Sequence, residues 1–351
     1  MIKFIGLENS LEWDDLVNSL PSHDVYYLSG YVKAFKEHGD GQPVLIWWEA
    51  DNMKAACVIM LRDIANDKRF SSLKPAKYFD AVTPYGYGGF IFSSDPSEMQ
   101  LAQLKNEFNG ILKEWNIISV FFRFHPVLDN AKFSSGICDV IDLGRTISMD
   151  LESPERIWAN LSSKNRNLVR KAEKNDVRIY NDTGLGILRI FKDIYDGTMT
   201  ADHASNYYFF NDKFYESIDT DLKDNYKVFY AMVGEKIVSA SIILFDNKQV
   251  HYHLSGSLPQ YRSLAPSNLL LYKVALWGSE NGYRTFHLGG GIGSAEDALY
   301  KFKAAFNRNS DDKFSIGKLI VNQEAYSELV NIRCNDKEFD INSNFFPLYR
   351  S

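Results

Sequence analysis

Between residues 249 and 306 the chain changes its hydrophobic period several times. The run QVHYHLS alternates β-branched or aromatic positions with polar ones and predicts a strand. Apolar positions then recur at Leu269, Leu270, Val274, Ala275 and Trp277, one face of a helix opened by Ser267 or by Pro266 in its first turn. Asn281-Gly282 supplies a left-handed stop. A second strand, 284–288, runs into Gly289-Gly290-Gly291, and a helix over 295–306 carries Tyr300, Lys301 and Lys303.

The same reading extends along the rest of the chain. Helical periods cover 9–19 and 29–38, and PVLIWWE and MKAACVIMLRD form a hairpin about Ala50-Asp51-Asn52. A strand at 77–82 leads into the loop TPYGYGG, followed by a helix at 96–115 and a strand at 117–124. Two short strands are expected within 137–150. Ser153-Pro154-Glu155 then caps one helix reaching to about 175, with Ile157, Leu161, Leu168 and Ala172 at helical spacing. Helices at 185–199 and 208–218 precede a meander of 226–233, 236–245 and 249–255, and the tail reads as a strand at 314–321 and a helix at 323–332. The order helix, helix, three strands, helix, strand occurs twice, the second time with a longer helical insert. This predicts two similar α+β domains, 1–147 and 148–317, each a mixed, mostly antiparallel sheet flanked by helices.

Composition narrows the partners. A length of 351 residues suffices for two cores, and 45% hydrophobic with 24% charged residues is the balance of a globular protein. A formal charge of −6 argues against a general nucleic-acid binder. Cys57, Cys138 and Cys334 are far apart without metal spacing, which reads as reduced thiols in a cytoplasmic protein. The first residues are acidic by position 8, and no stretch approaches the roughly 18–20 apolar residues of a membrane span. Any contact with a membrane would be peripheral.

Several residues carry candidate chemistry. The glycine-rich strand end lets backbone approach a ligand or a crossing strand closely. Lys301 and Lys303 point about 200° apart on a helix, so one cleft takes only one of them. Phe302 and Phe306 share a face and are expected in the core. Lys164, Arg166, Arg170, Lys171, Lys174 and Arg178 form a basic segment, with Arg166 and Arg170 placed to grip an anion or to lie as a solvated face, Arg170 pairing Glu173. Tyr85 and Tyr87 on their glycine hinge suit a ligand surface or a packed inter-domain turn. Arg123, at the end of an apolar strand, reads as an ion-pair anchor or a phosphate contact. Tyr207, Tyr208 and Tyr252 are weaker lining candidates. His251 and His253 alternate on one strand face with His287 nearby, but no third ligand type accompanies them and no metal is expected. Gly-Gly-Gly-Ile-Gly at 289–293 lacks dinucleotide spacing, and no Ser-His-Asp or Cys-His context supports an acyl-enzyme.

Four segments in order, TPYGYGGF, LSSKNRNLVRKA, HLGGG and LYKFKAAF, resemble the FemAB-like transferases, which add aminoacyl or acyl groups to amines of cell-envelope precursors on GNAT-type domains. The resemblance implies two GNAT-like domains, with residues 318–351 returning to the first. It implies an acceptor site between the domains touching Tyr85, Tyr87, Arg123, Lys164, Arg166, Tyr208 and Tyr252. Donor contacts would be Ser255, Arg262, Ser267, Gly289, Gly290 and Gly291, with Lys303 stabilising the tetrahedral intermediate or the leaving group. No cofactor is implied beyond the donor, aminoacyl-tRNA or acyl-CoA. The GNAT pyrophosphate loop aligns with Arg262-Ser263-Leu264-Ala265-Pro266-Ser267, where Ala265 replaces a glycine and Pro266 removes an amide. That departure points to charged tRNA or an altered carrier, whereas the acidic net charge points to CoA. The acceptor would be a nucleotide- or lipid-linked precursor of peptidoglycan or a surface polysaccharide. The alternatives are an acyl-CoA-dependent N-acyltransferase of an amino sugar and a non-catalytic duplicate that only binds such a precursor.

Overall fold

A computed structural model describes residues 1–351. The chain divides into a first unit, Met1–Leu143 with Phe314–Ser351, and a second, Gly144–Lys313. The limits drawn from the sequence, 147 and 317, lie a few residues beyond these.

The first unit begins with β1 (Ile2–Ile5), α1 (Ser10–Asn18) and α2 (Ser29–His38). β2 (Gln42–Ala50), β3 (Met53–Asp63), β4 (Phe79–Val82) and the short β5 (Ile91–Phe92) follow, then α3 (Glu98–Glu114) and β6 (Ile117–Arg123). Neighbouring strands run in the order β1, β2, β3, β4, β6, with β4 and β6 parallel and the others antiparallel. α3 makes that parallel crossover. Its N-terminus is a capping box of Ser97 and Gln100, and it buries Leu104, Phe108 and Leu112. β7 (Asp139–Asp150) is one continuous strand where two were expected. The chain stays extended through Gly144.

The expected single helix after Ser153 is two helices, α4 (Pro154–Asn160) and α5 (Ser163–Lys174). Leu161 turns extended (φ −60°, ψ 140°), and the Ser162 hydroxyl accepts from the Asn165 amide to start a new N-terminus. β8 (Arg178–Asp182), which was not anticipated, is a mostly exposed edge strand without apolar alternation. α6 (Leu185–Ala201) precedes α7 (Asp212–Asp221), which starts later than expected because the Asn211 side chain caps it. The meander is β9 (Tyr226–Val233), β10 (Lys236–Asp246) and β11 (Gln249–Ser257). α8 (Pro266–Glu280) buries Leu269, Leu270, Val274 and Ala275, as the helical period predicted. β12 (Thr285–Gly289) and α9 (Ala298–Ala304) complete the unit, the helix starting later than expected because the Asp297 side chain caps it. Strand order is β7, β12, β11, β10, β9, β8, with β11 and β12 parallel and the rest antiparallel. Each unit thus has one parallel step, made across a helix.

β13 (Asp312–Ile320) lies antiparallel to β6, and α10 (Gln323–Arg333) follows it. No helix is long and apolar enough to cross a membrane.

Candidate active site in the second unit

The parallel strands β11 and β12 pair only from Gln249↔Thr285 to His251↔His287. Beyond that point β11 stays with β10 as far as Ser239↔Ser257, while β12 stays with β7 to Gly289↔Ile147. The strands therefore part at their carboxyl ends, where open α/β sheets hold ligands. A bulge at Ile242/Ile243 makes the β10 register step from Leu254 to Tyr252, past His253. The bulge sets two residues of β11 against one of β10 and interrupts the regular alternation on which the pairing of His251 with His253 was expected. Burial, seconded by His251, pushes the His253 imidazole down to about 3, so it is neutral near pH 7.

Where β12 ends, Gly289 takes a left-handed φ of +79°. A Cβ on Gly291 would strike the Ala295 carbonyl oxygen and the Asp297 carboxylate, so this turn requires glycine there. Asp297 organises the turn. Its Oδ1 accepts the Tyr300 amide at 2.8 Å, capping α9, and its Oδ2 accepts the Ile292 amide at 3.2 Å. These backbone donors, Tyr300 foremost, hold the Asp297 carboxyl below the usual carboxylate range.

Lys303 sits in the last turn of α9 with 8% of its surface exposed. Its Nζ donates to the Gly290 carbonyl at 2.7 Å. Burial drags the ammonium down to about 8, against the opposing field of Asp297. Lys301 is exposed on the other side of the helix, as the angular argument required, and Phe306 is fully buried.

The other expected donor residues lie on β11 and the entry to α8. Ser267 Oγ is 3.0 Å from Ser239 Oγ, which donates to the Gly256 carbonyl. Ser255 and Ser241 hydrogen-bond the Tyr252 hydroxyl, whose pKa burial raises. Arg262 is exposed on the turn Pro259–Leu264. Ala265 is left-handed (φ 56°), Pro266 is the first helical residue, and no side chain caps α8. The first-turn amides of α8 are thus unclaimed by a cap.

Of the expected acceptor residues, three gather in the first unit. Arg123 Nε donates to the Gly86 carbonyl at 3.0 Å, and its guanidinium lies 5.6 Å over the Phe314 ring. Tyr87 meets Phe314 edge-on, and Tyr85 stacks on Phe35 with centroids 5.1 Å apart. In the second unit, Lys164 is exposed in the first turn of α5 and Tyr208 is exposed beside Tyr207. Arg166 Nη1 donates to the Leu161 carbonyl at 2.6 Å, closing the end of α4. Arg170 lies over Trp158, and Glu173 pairs with Lys273, not with Arg170.

Sequence reasoning missed Asn165, Asn268, Ser241 and Asp297. Asp297 carries a readable signal, a capping residue three positions before Tyr300. Asn165 stood inside a segment read for its charge, and its buried partner Asn268 is remote in sequence.

Residues 159–303 match the family profile described as an Acetyltransferase (GNAT) domain. Among solved structures, the chain is similar to FemX, with 14% identity and a TM-score of 0.66 over 93% of this chain and 99% of that one. It is also similar to the C-terminal domain of a putative lysylphosphatidylglycerol synthetase from Agrobacterium fabrum, with 14% identity and a TM-score of 0.54 over 93% and 97% of the two chains. A conserved protein of unknown function from Bacteroides thetaiotaomicron gives 12% identity and a TM-score of 0.57 over 91% and 100%. No curated protein matches the sequence. The GNAT match lies within the second unit and ends on Lys303, and the chain as a whole shares its fold with FemX.

Proposed function

We propose that the protein is a FemAB-like acyltransferase that moves an aminoacyl or acyl group onto an amine of a cell-envelope precursor. The observation that carries this reading is the buried Lys303 ammonium, aimed at the turn where β12 leaves the sheet, inside the segment that matches a GNAT acetyltransferase domain.

The acceptor's neutral amine attacks the donor carbonyl, forming a carbon–nitrogen bond and a tetrahedral oxyanion. Collapse breaks the bond from the carbonyl carbon to the donor's sulfur or ribose oxygen. The leaving thiolate or alkoxide takes a proton, and the amine nitrogen gives one up to water or substrate. Lys303, charged in the working state, stabilises the oxyanion or the leaving atom. Desolvation strengthens that interaction, and the Gly290 carbonyl fixes the lysine while no substrate is present. Ser255, Ser267 and Gly289 to Gly291 would meet the donor. Tyr85, Tyr87, Arg123, Lys164, Tyr208 and Tyr252 would meet the acceptor, with Arg166 reaching it only through the nitrogens not spent on α4.

An acyl-CoA-dependent N-acyltransferase of an amino sugar is the second reading. The uncapped first turn of α8 favours it, because free helix N-terminal amides suit a pyrophosphate.

Purified protein is mixed with an amine-bearing nucleotide-linked precursor and either acetyl-CoA or a charged tRNA pool. Transfer from one donor is expected, with Lys303→Met losing about 100-fold in turnover and no precursor affinity. Unchanged turnover in that variant would remove Lys303 from the chemistry, and transfer from neither donor would leave a precursor-binding protein.

A further inference from the structure

The amide of Asn165 is fully buried in a segment otherwise rich in charge. It bonds two other helices at once. Its Oδ1 accepts from Asn268 Nδ2 at 2.8 Å, and its Nδ2 donates to the Ala305 carbonyl at 3.3 Å. The same carbonyl accepts the Ser162 amide at 2.9 Å. Asn268 lies in the first turn of α8, Ala305 is the C-cap of α9 two residues after Lys303, and Asn165 lies in the first turn of α5.

We infer that Asn165 is a positioning residue, which locks the start of α8 to the end of α9 and so fixes where Lys303 stands relative to the donor end of the site. The inference rests on the reading of the site as an acyltransferase centre.

The chemistry selects an amide. One buried group must accept from Asn268 and donate to Ala305, and a neutral carboxamide does both with no charge to bury. Leucine has the same branched skeleton, though larger, but offers neither bond, and it leaves Asn268 and the Ala305 carbonyl each short of one. Nothing about this geometry requires Asn165 to touch substrate. What it governs is the placing of α9, whose last turn carries the lysine, against α8, whose first-turn amides are uncapped. If α9 is released, the Lys303 ammonium gains water and loses its fixed approach to the Gly290 carbonyl.

The test uses the full chain with lysine labelled at 13Cε. The Lys303 resonance is assigned by its loss in Lys303→Met, and its titration is followed by NMR in the wild type, Asn165→Leu, Asn165→Ala and Asn268→Ala. The wild type is expected to titrate at about 8, and the variants to move toward 10.5, the ordinary lysine value. In transfer assays the same variants lose at least tenfold in kcat, while KM for the acceptor changes less than twofold. A Lys303 titration unmoved in folded variants would overturn the positioning role, whatever activity shows. Unfolding of all three variants would overturn it too, since the amide would then serve the fold and not the site. Because the titration needs no turnover, absence of acyl transfer would defeat the functional reading while leaving this coupling measurable.

Discussion

Lys303 and Gly290 are joined by a 2.7 Å hydrogen bond from ammonium to carbonyl, closing the turn that links β12 to α9. A cation is thereby held 8% exposed with one backbone partner and one nearby carboxylate, Asp297. That is an unfavourable place for a positive charge in a protein without substrate. Functional sites commonly carry such a cost.

The cost gives a stability prediction with a definite sign. In the folded chain Lys303 loses its proton at about 8, and in the unfolded chain near 10.5. Below about pH 8 both states are charged and folding bears the full burial cost; between these values the unfolded state binds more protons, so stability rises with pH. Lys303→Met should therefore be more stable than the wild type at pH 7, by about 1–3 kcal/mol. The advantage should shrink toward pH 10. Urea unfolding at the two pH values measures it.

His253 predicts the opposite limb. Its folded value of about 3 lies below the ordinary 6.5, so the folded state resists the proton that the unfolded state accepts. Stability should fall as pH drops from 6.5 toward 3, by about 1.4 kcal/mol per pH unit from this group alone. His253→Gln should flatten that part of a denaturation profile.

Gly291→Ala should act through the backbone. Its Cβ would meet the Ala295 carbonyl and the Asp297 carboxylate, so the turn must open. A loss of about 1–3 kcal/mol is expected, and turnover should fall with it because Asp297 would lose its hold on the amides of Ile292 and Tyr300. Unfolding midpoints and transfer assays on the one variant read both effects.

In the first unit, Asp80 is fully buried and binds three side chains. Arg62 Nε donates to its Oδ1 at 2.7 Å, Tyr349 to its Oδ2 at 3.1 Å, and Arg350 reaches both oxygens. Asp80→Ala takes the shared anion from Arg62, which is partly solvated, and from Arg350, which keeps only Asp67, and should cost about 3 kcal/mol, seen as a lowered denaturant midpoint.

Much of this was legible in the residues, and for reasons that explain the rest. α8 and the meander were readable because their apolar faces repeat at 3.6 and 2 residues. β8 was not, because an exposed edge strand has no buried face to pattern. The break between α4 and α5 turned on one serine that caps in preference to continuing a helix. Helix angle alone showed that Lys301 and Lys303 face apart, the resemblance chose Lys303, and its burial depends on residues brought from elsewhere in the chain. The Asn165–Asn268 pair had no signal, since the two asparagines lie 103 positions apart and neither stands out until the chain between them is folded. The bulge beside His253 was not readable, because a register shift leaves no mark in the sequence.

The most direct test is single-turnover acyl transfer across pH 6 to 10, with the acceptor amine saturating and Lys303→Met in parallel. The account predicts a wild-type rate that declines above about pH 8 as Lys303 loses its proton, and a variant about 100-fold slower whose profile lacks that limb. A variant that transfers at the wild-type rate with the same profile would contradict it.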